Sequence, residues 1–302
     1  MKSVQRLAVA LFLSCFSLFF PHLALAEGIS PSHVYQNTQR MMAEISLIRQ
    51  KLGAQDTPRH SGVQVKKKPI HVYAKALEVM EKVARAQTRQ GLTPTEVGSI
   101  PIRNISPTEV FAVSERILLE LRRLKKKLEI AEEIQEPQFV AGKRPSDAYE
   151  NMWNVSYLLD AVAGEIKPSF VFRNSRLILA ELGQISTKLG FSVLTKAPES
   201  VANKQPKDVN LQSFKNMHLL ARLQRKLNIE PLRAPSFPNG KITPSDVYDT
   251  THILLAELVR IKVALEINTP RPEVELLEGK HPADVLSQMQ LIAENIRALT
   301  KS

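Results

Sequence analysis

Glu44, Glu120, Glu181 and Glu257 each stand 13 residues after a proline and border an apolar run at helical spacing. Carboxylates repeated in this way can point into a groove and bind a cation or an amine. The plainer use is a flanking salt bridge, because Arg123 and Arg260 follow Glu120 and Glu257 by three residues. Four residues after these prolines and four others like them stand Tyr35, Tyr73, Phe111, Tyr149, Phe172 and Tyr248, with Asn210 and Leu286 in the other two places. A row of rings, Tyr35, Tyr73, Tyr149 and Tyr248 among them, can stack on a glycan or planar ligand. It can equally staple each helix start to a neighbouring loop, the commoner use of aromatic contact area.

Two basic clusters invite a polyanion: Lys66, Lys67 and Lys68, and Arg122 and Arg123 with Lys125, Lys126 and Lys127. In an exported chain the matching polyanions are lipid headgroups, envelope glycans or acidic proteins, and nucleic acid is not expected. Cations near helix C-termini also simply oppose the helix dipole. Parallel helices would gather these charges at one end, and antiparallel helices would scatter them. His33 and His71 occupy matching places in adjacent repeats, where stacking would bring them together. No tight ligand spacing such as HExxH accompanies them, so capping is the better assignment. No metal or cofactor is expected. Neither GxSxG, a Walker loop, GxGxxG nor a paired-carboxylate signature stands out. The expectation is a protein that is not an enzyme.

The elements that position these residues are set by eight prolines: Pro31, Pro69, Pro107, Pro145, Pro168, Pro206, Pro244 and Pro282. Consecutive spacings are 38 residues throughout, except for 23 between Pro145 and Pro168. Each proline suits the first helical position, where its missing N–H costs nothing. Ser30, Ser106 and Thr243 precede it as N-caps, and Glu109, Asp147, Asp208, Asp246 and Asp284 follow at the third position. After Pro244 apolar residues fall at Val247, Leu254, Leu258, Ile261 and Leu265, and the Pro107 run repeats them at the same offsets. That is a bundle-facing stripe. Residues 242–267 match residues 105–130 at 11 of 26 positions, at an offset of 137.

The sequence therefore predicts an all-α, eight-helix repeat protein of two tandem four-helix units, residues 27–164 and 165–302, with ~38-residue repeats. Gly53, Gly91, Gly164 and Gly190 fall where C-terminal caps belong. Most connections are long enough to return along a whole helix, so parallel and antiparallel neighbours both stay open. Only Gly164–Lys167 is short enough to demand an antiparallel hairpin of helices four and five.

Residues 1–26 read as an address. Lys2 and Arg6 precede the apolar run Leu7–Phe20, and Ala24-Leu25-Ala26 offers a small-x-small cleavage site. An uncleaved anchor is the alternative, but that run is shorter than the ~20 residues that span a bilayer. Lipidation at Cys15 is a poorer match, and cleavage leaves no cysteine in the chain. The 41 basic and 30 acidic residues give a basic excess that persists without Lys2 and Arg6. No later segment is apolar enough to cross a membrane. The expected function is that of an exported, periplasmic or secreted binding or scaffold module of the cell envelope. Its expected partner is an envelope protein or an anionic envelope component; a periplasmic small-ligand-binding or sensory bundle is the alternative.

Overall fold

A computed structural model describes residues 28–56 and 58–301; the leader expected at 1–26 lies outside the described residues. Eight helices begin at the eight prolines: α1 Pro31–Lys51, α2 Pro69–Arg89, α3 Pro107–Lys127, α4 Pro145–Ala163, α5 Pro168–Lys188, α6 Pro206–Lys226, α7 Pro244–Ala264 and α8 Pro282–Lys301. No strand occurs among the described residues. The all-α eight-helix repeat expected from the proline spacing is the observed architecture.

Each half is a four-helix bundle whose helices all run the same way. Pro31, Pro69, Pro107 and Pro145 converge at one end of the first bundle, and Pro168, Pro206, Pro244 and Pro282 at one end of the second. The order around the first ring is α1–α3–α2–α4, so helices consecutive in sequence lie on diagonals or across a long return. The second bundle repeats the order as α5–α7–α6–α8. Apart from residues 164–167, every connection is a long crossover such as 52–68 or 227–243. At ~3.3 Å per residue it comfortably retraces a helix rising ~1.5 Å per residue.

Parallel packing sets four positive helix ends side by side. Glu109 and Asp147 in the first bundle, and Asp208, Asp246 and Asp284 in the second, place carboxylates in those first turns. At the opposite ends stand Arg49, Lys51, Arg89 and Lys125–Lys127. His33 and His71 cap α1 and α2 through Nδ1, which accepts the backbone N–H of Ser30 and of Lys68.

The helix ends repeat as closely as the starts. Twenty-two residues after six of the prolines the chain turns left-handed, at Gly53, Gly91 and Gly190, but also at Glu129, Asn228 and Glu266. In all six the next N–H bonds back to the carbonyl five residues earlier, as in Ile130 to Lys125 and Ile267 to Lys262. The cap survives without glycine at about 1 kcal/mol per left-handed residue. Gly164 differs. It carries φ 79°, and a Cβ there would collide with the Arg89 guanidinium.

Residues 164–167 reverse the chain, so the second bundle runs antiparallel to the first. The expected hairpin is right in sense but not in packing, since α4 and α5 make no extended contact. The halves meet along α2 and α7. His71 faces Glu257 at one end of this seam, and Lys82 faces Ser245 at the other. Ala74 and Ala256, each 3% exposed, let the backbones approach. Helix α7 is buried almost all round, as a helix enclosed between two bundles must be.

Candidate functional site

The four repeated glutamates are placed by one rule. Each meets a residue 18 positions after the proline of a neighbouring helix. Glu44 faces Lys125 at 2.7 Å, and Glu181 faces Lys262 at 2.6 Å. Glu120 accepts from Gln87 Nε2 and Glu257 from Gln224 Nε2, both at 2.6 Å. Arg123 and Arg260 complete the latter pair at 3.1 and 2.6 Å. The same partners hold the crossovers. Gln87 accepts the Thr95 N–H and Gln224 the Leu232 N–H, while Lys125 and Lys262 donate to the carbonyls of Glu132 and Thr269. Glu44, Glu181 and Glu257 are buried, and all four face a cation or an amide; Glu44 is held by ion pairs to Lys125 and Arg122 without a hydrogen bond to either oxygen. The geometry is that of clasps locking parallel helices to their return loops.

The aromatic row and the basic loop ends meet each other. Lys143 Nζ lies 4.3 Å from the Tyr35 ring centroid, Lys67 Nζ 4.8 Å from Tyr149, and Lys280 Nζ 4.9 Å from Phe172. Each cation–π contact, worth about 1 kcal/mol, pins the loop entering an even-numbered helix to another helix start. Tyr248 is buried against His252, and Tyr73 is half-buried.

The basic clusters divide. Lys67 is buried, and that burial lowers its ammonium to about 8. Lys68 pairs with Glu230 at 2.9 Å, Lys125 is buried on Glu44, and Arg123 is on Glu120. Lys66, Arg122, Lys126 and Lys127 remain exposed. Parallel helices do not gather the two clusters at one end, because one lies at the start of α2 and the other at the finish of α3.

A denser charged cluster lies in the seam, where no local motif announced it. Lys75 Nζ donates to both Glu78 oxygens at 2.7 Å and lies 3.4 Å from the Trp153 ring centroid. Lys82 Nζ donates to Ser156 Oγ at 2.7 Å and to Asp160 Oδ1 at 2.8 Å, and stands 3.2 Å from Asp249. Ser156 Oγ passes a bond to Glu78 at 2.8 Å. Burial alone would raise the Glu78 carboxyl, but Lys75 and Lys82 outweigh it and hold it low. Asp249 goes the other way, raised by burial and by the Glu78 charge, and its oxygens accept no hydrogen bond.

Nearby, His71 takes one tautomer. Its Nδ1 accepts the Lys68 N–H, so Nε2 carries the proton and donates to Glu257 at 2.8 Å. Burial lowers its pKa. Burial opposes the Glu257 charge, but the His71 bond and Arg260 hold that carboxyl at about 2.

This cluster opens at one end onto a cleft of about 780 Å³ between the bundles. Tyr157 and Asp160 of α4 line one wall, and Lys207, Lys241 and Ser245 the other. Ser245 Oγ donates to Asp160 at 2.7 Å beside Lys82 Nζ at 3.2 Å. Lys82 is not a base for this hydroxyl. Burial disfavours the Lys82 ammonium, but Asp249, Asp160 and Glu78 outweigh it and raise the pKa, so the amine accepts no proton. Within the seam, the void beside Glu78 and Asp249 is only about 10 Å³, room for at most one water.

Sequence reasoning missed Lys75, Glu78, Lys82 and Asp249 as a group. One signal was present: Lys75, Glu78 and Lys82 recur at three and four residues, on a buried stripe of α2. No family model, curated protein or solved structure matches the chain.

Proposed function

We propose that the chain is exported and works without catalysis, as a binding or scaffold module of the cell envelope. One observation carries this reading: the four repeated glutamates are spent on clasping helices and loops. What the repeat leaves outward is helix surface, the material of assembly rather than of a preorganised reactive centre. None of the described helices is long and apolar enough to cross a membrane. The test is co-sedimentation of purified protein with its own envelope fraction. Saturable, protease-sensitive association is expected, and no association at low or physiological salt overturns the proposal.

The cleft favours the second reading, a small-ligand module, because its volume suits a ligand of metabolite size. Thermal shifts against amino acids, amines and sugars separate the two. A saturable shift abolished by Tyr157→Ala would establish the ligand reading.

An anionic envelope component is the other proposed partner, and the exposed cations narrow its test. Replacing Lys126 and Lys127 by Gln is expected to weaken binding to anionic liposomes several-fold at low salt. Wild-type binding itself should fade towards physiological salt, where screening acts over ~8 Å. Lys125→Gln is unsuitable for this purpose, since it strips buried Glu44 of its closest cation. Unchanged liposome binding by the double variant would remove these lysines from the proposal.

A further inference from the structure

The seam between the halves is heterologous. The first half contributes α2, and the second contributes α7, the counterpart of α3 rather than of α2. An interface of that kind uses two different patches, and the internal duplication writes each patch twice. One pair is consumed within the chain. The counterparts, α6 in the second half and α3 in the first, make no extended contact with each other.

Residue by residue, those counterparts look outward. Ala74 and Ala256 sit in the middle of the seam. At the 137-residue offset their places are taken by Leu211 on α6 and Leu119 on α3, which are 48% and 62% exposed. They are the two large apolar side chains of the helices that are left in solvent; the other strongly exposed ones lie in connections, apart from Leu52 at the α1 cap. Most of the buried ions have also gone. Lys75, Lys82 and Asp249 correspond to Gln212, Leu219 and Ala112, whereas Glu78 corresponds to exposed Lys215 and seam-lining Ile253 to exposed Arg116, so this surface forms a contact without burying a four-ion cluster. One ionic pairing survives with its partners exchanged. Glu81 and His252, 3.7 Å apart in the seam, correspond to His218 and Glu115, both exposed. Asp208 stands in the place of His71 and cannot donate to Glu120 as His71 does to Glu257; its counter-charge there is Arg123, which with Gln87 already holds Glu120.

We infer that α3 of one molecule docks on α6 of another copy of this chain, continuing the internal seam from molecule to molecule. The inference rests on the scaffold reading and gives it a partner. Contact between unlike patches leaves one α3 and one α6 free at the ends, so assembly proceeds head to tail into a ring or an open row.

Sedimentation velocity of the purified protein over a wide concentration range tests this. Mass is expected to rise beyond a dimer. Leu119→Glu and Leu211→Glu should each be monomeric while retaining wild-type helicity, since both sites are exposed. Mixed together, they should form a dimer and nothing larger, because one supplies an intact α6 and the other an intact α3. A wild type that stays monomeric at every concentration overturns the inference; envelope co-sedimentation then decides the scaffold reading separately. Association unaffected by both variants, or a mixture that stays monomeric, overturns it too.

Discussion

Lys82→Met is expected to destabilise the protein by about 3–5 kcal/mol, the usual cost of stranding buried charge. Lys82 is fully buried and, among the described residues, is the one cation that touches Glu78, Asp249 and Asp160 together. Methionine keeps the length of the stem but leaves Glu78 and Asp249 facing Lys75 alone. Urea unfolding followed by the single tryptophan, Trp153, reads this directly, because its ring lies against Lys75 in the same cluster. Lys127→Met serves as the control, being exposed and expected to move stability by no more than about 0.5 kcal/mol. If the two variants shared a midpoint, the cluster would not be holding the seam.

The same effect is expected at a site the duplication makes predictable. Lys262 is fully buried on Glu181 and also donates to Gln184 and Thr269, as Lys125 serves Glu44 and Glu132. These clasps were half legible in the sequence. The 13-residue offset marked the glutamates, but their partners stand on other helices, at an offset that means nothing until helices are known to be parallel. That direction could not be read, because a crossover such as 52–68 reaches either end of a helix. Helix starts were legible because proline, cap and acidic third residue act locally, within one turn. The seam was the least legible. It depends on α2 meeting α7, and its alanines are unremarkable residues until set beside Leu211 and Leu119.

Asp249→Asn is expected to act in the opposite direction, stabilising the protein at pH 7.5 by roughly 2–3 kcal/mol and not at all near pH 4. The sign follows from the carboxyl's own titration. Folding raises it from 3.8 to about 6, first through burial and then through the Glu78 charge. Its ionised form therefore penalises the fold above pH 6, and the penalty disappears as pH falls towards 3.8, by ~1.4 kcal/mol for each pH interval of one. Lys75, Glu78 and Lys82 face Asp249 from α2, and Glu78 has the reverse dependence. Its stabilisation is present above 4.5 and is lost as pH falls towards 2. His71, whose pKa folding lowers, also loses stability as pH falls through 6.5. Wild-type stability alone mixes these opposing slopes. The difference between wild type and Asp249→Asn largely cancels the background contributions, and asparagine keeps an oxygen facing the lysines while its amide N–H can donate to Glu78. Chemical denaturation of both proteins at about pH 4, 5, 6 and 7.5 should show curves that meet at the acid end and separate towards neutrality. A constant offset would mean that Asp249 is charged at every pH and fully compensated by Lys75 and Lys82.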